Sequence, residues 1–162
     1  MHGTPLWARL DRLALATAVA LLVALGVSVW RDRTRPHETP RWESARFVAI
    51  APEGPGGERP LWVVAVSLRC PHCQEHLRAL ADTLATRAHP PRLAALVVDE
   101  PARPLRVDLG GGLDGGVWWD SAQVWRASWG RRTYGETFRF NAAGRLVSST
   151  PAGVVPDQPR SR

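Results

Sequence analysis

Two cysteines, the only ones in the chain, stand two residues apart in Arg69-Cys70-Pro71-His72-Cys73. Such a pair can cycle between dithiol and disulfide, or hold a soft metal ion. Thiol–disulfide exchange requires one accessible thiol with thiolate character and a shielded second thiol within disulfide reach. The flanking residues predict that asymmetry. The apolar, valine-rich run that starts at Leu61 and ends in Cys-Pro-His-Cys suits a strand buried on both faces. Beyond it, Cys73, Leu77, Leu80, Ala81, Leu84, Ala85 and Ala88 recur at helical spacing. Pro71 fits the first helical position, which makes Cys70 the N-cap. Cys73 therefore belongs to the buried stripe. Cys70 sits at the helix mouth, where unpaired N–H groups favour a thiolate. Arg69, and His72 when protonated, would add positive charge and lower the Cys70 pKa below the ~8.5 of a free thiol. The bland alternative is a static disulfide or two inert core thiols.

The chain has 162 residues, enough for one domain with a real core. Its net charge of +6 would suit a nucleic-acid ligand, but the charge is not concentrated. Residues 1–46 carry seven arginines and four acids, and the remainder fourteen and eleven. The arginines are scattered among acids and form no stripe, so no nucleic-acid partner is expected.

Leu13 to Trp30 is an uncharged run of eighteen residues bracketed by Arg12 and Arg31. It is long enough for a membrane helix, and Trp7 and Trp30 would suit the two interfaces. A cleaved signal peptide competes, since Ala24-Leu25-Gly26 is a passable cleavage site, but the apolar run continues beyond it. The organisation expected is a tail over 1–12, an anchor over 13–30, a polar linker over 31–46, a domain over 47–149 and a flexible tail over 150–162. Within the domain, Phe47 to Ala51 reads as a short strand and Pro52 to Pro60 as a turn. Leu93 to Val98 reads as a second buried strand, which pairs in parallel with the first through a β–α–β unit. The Gly/Pro-rich stretch over 100–116 has no phosphate-loop spacing and reads as a flexible surface loop. Val117 to Trp119 is a candidate strand, and Ser121 to Trp129 a short helix capped by Asp120 or Ser121. Thr137 to Phe140 and Arg145 to Ser148 flank Asn141-Ala142-Ala143-Gly144 as a hairpin.

The order strand, Cys-Pro-His-Cys helix, strand, helix, hairpin resembles the thioredoxin superfamily. The anchor and the segment Trp129 to Val147 are similar to its membrane-tethered, extracytoplasmic branch. That resemblance implies an α/β thioredoxin-like fold, a central mixed sheet with flanking helices, preceded by a single transmembrane helix. It implies a protein thiol–disulfide oxidoreductase with Cys70 as attacking thiol and Cys73 as resolving thiol. Pro71 and His72, the pair seen in strongly oxidising DsbA-type proteins, and Arg69 would tune the redox poise. No cofactor is implied. The implied partners are a protein thiol or disulfide substrate and a membrane redox partner. The implied location is the inner membrane, single-pass, with the domain in the periplasm, although five arginines after the anchor against two before it favour the opposite orientation.

Three departures stand out. The substrate-docking cis-proline of the family aligns with Gly135, beside Tyr134. Arg69 replaces the usual Trp before the first cysteine. The C-terminal helix is missing, which leaves one sheet face bare or covered by a partner. These changes suggest a specialised member with a restricted substrate.

Other chemistries are less well supported. Cys70, Cys73 and His76 form a Cys-x-x-Cys-x-x-His array, but a closed zinc site needs four ligands and no second cluster supplies them. Copper delivery through the two thiolates is the main alternative. A thioredoxin-like scaffold with reduced turnover is another, consistent with Gly135. His72 and His76 are read as solvent-facing. Trp118, Trp119, Trp125 and Trp129 read as core packing, with a docking surface as the alternative.

Overall fold

The computed structural model describes residues 6–34, 37–54 and 58–154. Expectations for residues 1–5 and 155–162, for the Trp7 side chain and for the centre of the Pro52–Pro60 turn lie outside the described residues. The chain divides into two compact units, Met1–Pro36 and His37–Arg162.

The first unit holds one helix, α1, Leu6–Thr34. Its window Ala14–Arg31 is long and apolar enough to cross a membrane, as an anchor or as a signal sequence. Leu21, Leu22 and Leu25 are exposed on it. The helix runs past Trp30 into the segment expected to be linker.

The second unit is a six-stranded mixed sheet. Its strands are β1 (Val48–Ala51), β2 (Leu61–Val66), β3 (Arg92–Val97), β4 (Val117–Trp119), β5 (Thr137–Phe140) and β6 (Leu146–Thr150), and helix α2 (Pro71–Ala85) follows β2. The spatial order is β1-β4-β3-β2-β5-β6. β2 and β3 pair in parallel from Leu61↔Arg92 to Val66↔Val97, as a strand–helix–strand unit demands. β5 joins β2 from the other side, antiparallel, and β6 closes the hairpin. β4 runs parallel to β3, and β1 is antiparallel to β4 at the edge. A β–α–β unit followed by an antiparallel hairpin on the flank of its first strand is a thioredoxin-like fold.

Every residue of β2 and of β3 is buried, because both faces of the sheet are covered. The alternation of side chains assigns each residue its face. Trp62, Val64, Val66, Leu93, Ala95 and Val97 meet Cys73, Leu77, Leu80 and Leu84 of α2. The helix ends at Ala85 and Ala85 and Ala88 are exposed, so the stripe is shorter than its sequence pattern.

On the opposite face Leu61, Val63, Ala65, Ala94 and Leu96 pack under Phe47, Trp125, Trp129, Phe138 and Phe140. No helix follows β6 among the described residues, but this face, expected to be bare or covered by a partner, is covered by the chain's own aromatic side chains. Trp42 stacks on Phe47 at 4.8 Å, Phe47 meets Trp129 edge-on at 5.9 Å, and Trp129 meets Phe138 at 5.5 Å. Trp118, Trp125 and Trp129 are core, with Trp125 fully buried, whereas Trp119 is only partly buried and belongs to neither core cluster. Residues 37–46, expected as linker, are part of this unit. Glu38 N–H donates to Ser128 O, Trp42 N–H donates to Gly144 O, and Trp42 packs against the aromatic cluster.

Two further expectations change. The helix expected over Ser121–Trp129 is a five-residue π-helical turn, Val124–Ser128. Buried Asp120 caps it, its two carboxylate oxygens accepting from Val124 N–H (2.7 Å) and Trp125 N–H (2.8 Å). The stretch 100–116 is not uniformly a free loop. Gly115 N–H donates to Leu93 O, and a Cβ at Gly115 would lie 2.9 Å from the Leu93 backbone. Asp114 accepts from Leu93 N–H and pairs with Arg59.

Because Trp125 is fully buried within the aromatic core cluster, Trp125→Ala should destabilise the domain by about 3–5 kcal/mol. Urea unfolding followed by circular dichroism checks this value.

Candidate active site

The apolar run of β2 ends at Val66, and Ser67-Leu68-Arg69 turns the chain into α2. Cys70 N–H donates to Ser67 O at 3.0 Å, Arg69 N–H donates to Ser67 Oγ at 3.3 Å, and Gln74 Nε2 donates to Leu68 O at 3.1 Å. These bonds hold Cys70 as the helix N-cap in extended conformation, with Pro71 opening the helix. Cys70 and Cys73 form a disulfide with Cα atoms 5.4 Å apart, inside the range such a bond requires. Cys70 is half-buried and Cys73 is 2% exposed, the asymmetry that the sequence predicts.

The charges expected beside Cys70 are partly offset. The Arg69 guanidinium lies 4.0 Å from the Glu100 carboxylate, and His72 Nδ1 lies 3.3 Å from Glu75 Oε2. Both side chains are largely in solvent, where screening weakens them further. The helix mouth is therefore the chief influence left to favour a Cys70 thiolate.

The opposite wall comes from the segment before β5. Gly135 N–H donates to Ala65 O at 2.6 Å, and Ala65 N–H donates to Glu136 O at 3.0 Å, which extends the β2–β5 pairing. Gly135 is thereby placed against Cys73: a Cβ on it would stand 3.9 Å from Cys73 Cα. It would also stand 2.8 Å from Ala152 Cβ. Gly135 has φ +77°, a left-handed conformation that glycine adopts without penalty, and no cis peptide occurs among the described residues. Ala152 and Gly153, just beyond β6, thus join Cys70, Cys73 and Tyr134 around one groove.

Tyr134 ties this wall to the sheet. Its ring stacks on Trp125 with centroids 5.6 Å apart, and its hydroxyl donates to Asp99 Oδ2 at 2.5 Å. Asp99 follows β3 with φ +59°, and Arg126 Nε donates to its Oδ1 at 3.0 Å. The Arg126 hydrogen bond holds the Asp99 carboxyl below the usual carboxylate range, against burial, with the Tyr134 hydrogen bond assisting. The same carboxylate raises the Tyr134 pKa by accepting its proton in a hydrogen bond.

His76 corrects the sequence reading. It is 8% exposed, not solvent-facing, and its Nε2 lies 3.1 Å from Thr137 Oγ1 at the start of β5. Burial lowers its pKa. The helical spacing already carried this signal: His76 is three residues from Cys73 and four from Leu80, both on the buried stripe. Asp99 was also missed. Its signal was its place at the carboxyl end of β3, the same sheet edge as Cys70. Among the described residues no group of three His, Cys, Asp or Glu side chains is placed to hold a metal ion.

The arrangement supports a redox role: a disulfide at a helix mouth with one sulfur reachable from a groove and the other in the core. No family model matches the chain, and no curated protein matches it. Solved structures similar to it include proteins described as thioredoxins or thioredoxin-like. StoA from Bacillus subtilis has 15% identity and a TM-score of 0.46, over 62% of this chain and 79% of that one. A thioredoxin-like protein from Porphyromonas gingivalis has 15% identity and a TM-score of 0.45, over 72% and 86%. The exposed lipoprotein thioredoxin Etrx1 from Streptococcus pneumoniae has 13% identity and a TM-score of 0.46, over 60% and 78%. The thioredoxin-like character of the chain is carried by its own strand order and Cys-x-x-Cys pair.

Gly135→Ala should lower stability by at least about 1 kcal/mol, from left-handed strain and the Ala152 contact together. Adding Ala152→Gly should relieve only the contact part, as a double-mutant cycle in urea would measure. The folded pKa of Asp99 is depressed, so its contribution to stability is present above the unfolded value of ~3.9 and is lost as pH falls through the folded value. Asp99→Asn should flatten that acid limb in unfolding curves collected across acidic pH.

Proposed function

We propose that this chain is a protein thiol–disulfide oxidoreductase that works through Cys70 and Cys73, tethered to a membrane by α1 with its domain on the extracytoplasmic side. The observation that carries the reading is the disulfide itself: half-buried Cys70 at the mouth of α2, joined to a core-buried Cys73 beneath an open groove. In the reduced state the Cys70 thiolate attacks a substrate disulfide. A mixed disulfide forms at Cys70, and one substrate thiolate leaves. Cys73 then attacks Cys70 Sγ, which releases the second substrate thiolate and closes the Cys70–Cys73 bond. Two electrons pass from the chain to the substrate, and the reverse sequence oxidises a substrate dithiol.

Arg69, Pro71 and His72 border the reacting sulfur; with the Arg69 and His72 charges partly offset, its poise rests mainly on the N-terminus of the helix that Pro71 begins. Tyr134 and Gly135 form the wall against which the substrate backbone docks. A protein disulfide, not a small thiol, suits a groove this open, and a membrane redox partner would recharge the pair. The proposal includes an inner-membrane tether with the domain in the periplasm; α1, long and apolar enough to cross a membrane, supports the tether.

The full chain in detergent micelles should catalyse exchange in a scrambled or disulfide-bonded protein substrate. Cys70→Ser should abolish this, and Cys73→Ser should trap a mixed disulfide visible on non-reducing gels. Alkylation against pH should place the Cys70 pKa below that of a free thiol. Stoichiometric copper lost on Cys70→Ser, with no exchange, would overturn the reading in favour of metal delivery. Absence of both would favour a scaffold.

A further inference from the structure

In the closing step of any such exchange, Cys73 must react as a thiolate. Its surroundings oppose this, since it is 2% exposed and lies among Val66, Leu77 and Leu80. Burial disfavours the charged sulfur, and bulk water has little access to take its proton. A group inside the groove is needed, and the described residues narrow the choice. His72 and Glu75 line the groove but turn to solvent, with side chains 94% and 67% exposed. The Tyr134 hydroxyl is committed to Asp99.

His76 is different. It is buried, lines the same groove, and stands one helical turn beyond Cys73, a spacing that brings Cβ atoms to about 5–6 Å. Helical side chains as a rule lean toward the N-terminus of their helix, which for His76 is the direction of Cys73. Thr137, on the neighbouring strand, engages Nε2 and steadies the ring. No hydrogen-bond partner is present for Nδ1 among the described residues. With Nε2–H donating to Thr137 Oγ1, Nδ1 carries the free lone pair.

We infer that His76 accepts the proton of the Cys73 thiol when Cys73 closes the disulfide, so that Cys-x-x-Cys-x-x-His acts as one unit. This inference rests on the exchange reading above. Cys73 Sγ–H gives its proton to His76 Nδ1. The thiolate electron pair forms the bond to Cys70 Sγ, and the bond between Cys70 Sγ and the substrate sulfur breaks. The substrate leaves as a thiolate and takes a proton from the imidazolium or from water. The chain is oxidised by two electrons and the substrate disulfide is reduced. In the opposite direction, His76 returns the proton to Cys73 as the disulfide opens.

The groups facing His76 are few. On its own helix they are His72 and Glu75, both in solvent; across the groove it is Tyr134; on β5 it is the uncharged Thr137; beyond β6, Ala152 and Gly153 do not titrate. Burial lowers its pKa, so the ring is neutral at neutral pH and its free ring nitrogen is open to a proton.

The experiment uses the reduced full chain in detergent micelles, mixed rapidly with dithiobis(nitrobenzoate). The first coloured thiolate released reports attack by Cys70, and the second reports closure by Cys73. In the wild type, closure should be independent of protein concentration and should slow as pH falls through the depressed His76 pKa. His76→Gln, which retains a hydrogen-bonding side chain, should slow closure at neutral pH by about 10²-fold, in the range of a lost general base. It should also erase that inflection and leave the first step unchanged. Thr137→Val should slow closure while keeping the inflection, and it decides the matter if His76→Gln does not fold. Equal closure rates and pH profiles in wild type and His76→Gln would overturn the inference alone. A wild-type chain that closes its disulfide yet exchanges with no protein disulfide would overturn the broader reading instead.

Discussion

The structure depends on the double-sided burial of the parallel pair β2 and β3. Every side chain of these strands is out of water, on both faces, along their whole paired length. At about 25 cal/mol per Å² of apolar area, such a pair is a large part of the free energy that holds a domain of this size. It also imposes a geometric condition. The chain leaves β2 at the sheet edge and must return over one face to begin β3 alongside it, and α2 is that return. The first turn of α2 therefore stands at the carboxyl end of β2, and Cys70 is placed there by the packing of the strands behind it.

That placement creates two different sulfurs from two residues of one type. Cys73 falls on the helix face that seals Val64 and Val66, whereas Cys70 lies at the end of the helix, where backbone N–H groups lack partners. The extension of β5 beyond its named strand brings Gly135 under Cys73 through hydrogen bonds with Ala65. A residue with a Cβ would meet Ala152 there, so the bare backbone of Gly135 and the chain beyond β6 share the wall of the groove. Tyr134, Asp99 and Arg126 connect that wall to the end of β3, and Trp125 supports Tyr134 from below. The site is thus built on the same elements that form the two cores.

The second sheet face shows how an aromatic cluster can stand where a helix might. Trp42 and Phe47 come from before β1, Trp125 and Trp129 from the π-helical turn, and Phe138 and Phe140 from β5. Large rings bury much area per residue, so a few of them from separate segments cover the central strands without a long helix. The cost is conformational: Gln123 adopts a left-handed backbone, and the turn relies on the Asp120 carboxylate to satisfy its first N–H groups.

Much of this was legible in the sequence, because its causes are local. Continuous apolar runs mark β2 and β3, Pro71 after Cys70 marks the start of α2, and Asn141 to Gly144 marks the hairpin. The unlike burial of Cys70 and Cys73 follows from helical spacing alone. The uncharged run Leu13 to Trp30 likewise shows by composition that α1 can cross a membrane. What the sequence could not determine depends on contacts between distant segments. Residues 37–46 look like a polar linker until Trp42 meets Phe47 and Phe140. His76, which its spacing from Cys73 and Leu80 already sets on the buried stripe, gains its partner only when β5 brings Thr137 beside it. Asp99 acquires its role only when Arg126 and Tyr134, remote in sequence, converge on its carboxylate. Spacing determines which residues share a face of one element, but only the packing of elements determines what that face touches, and the chemistry of a buried group is set by what it touches.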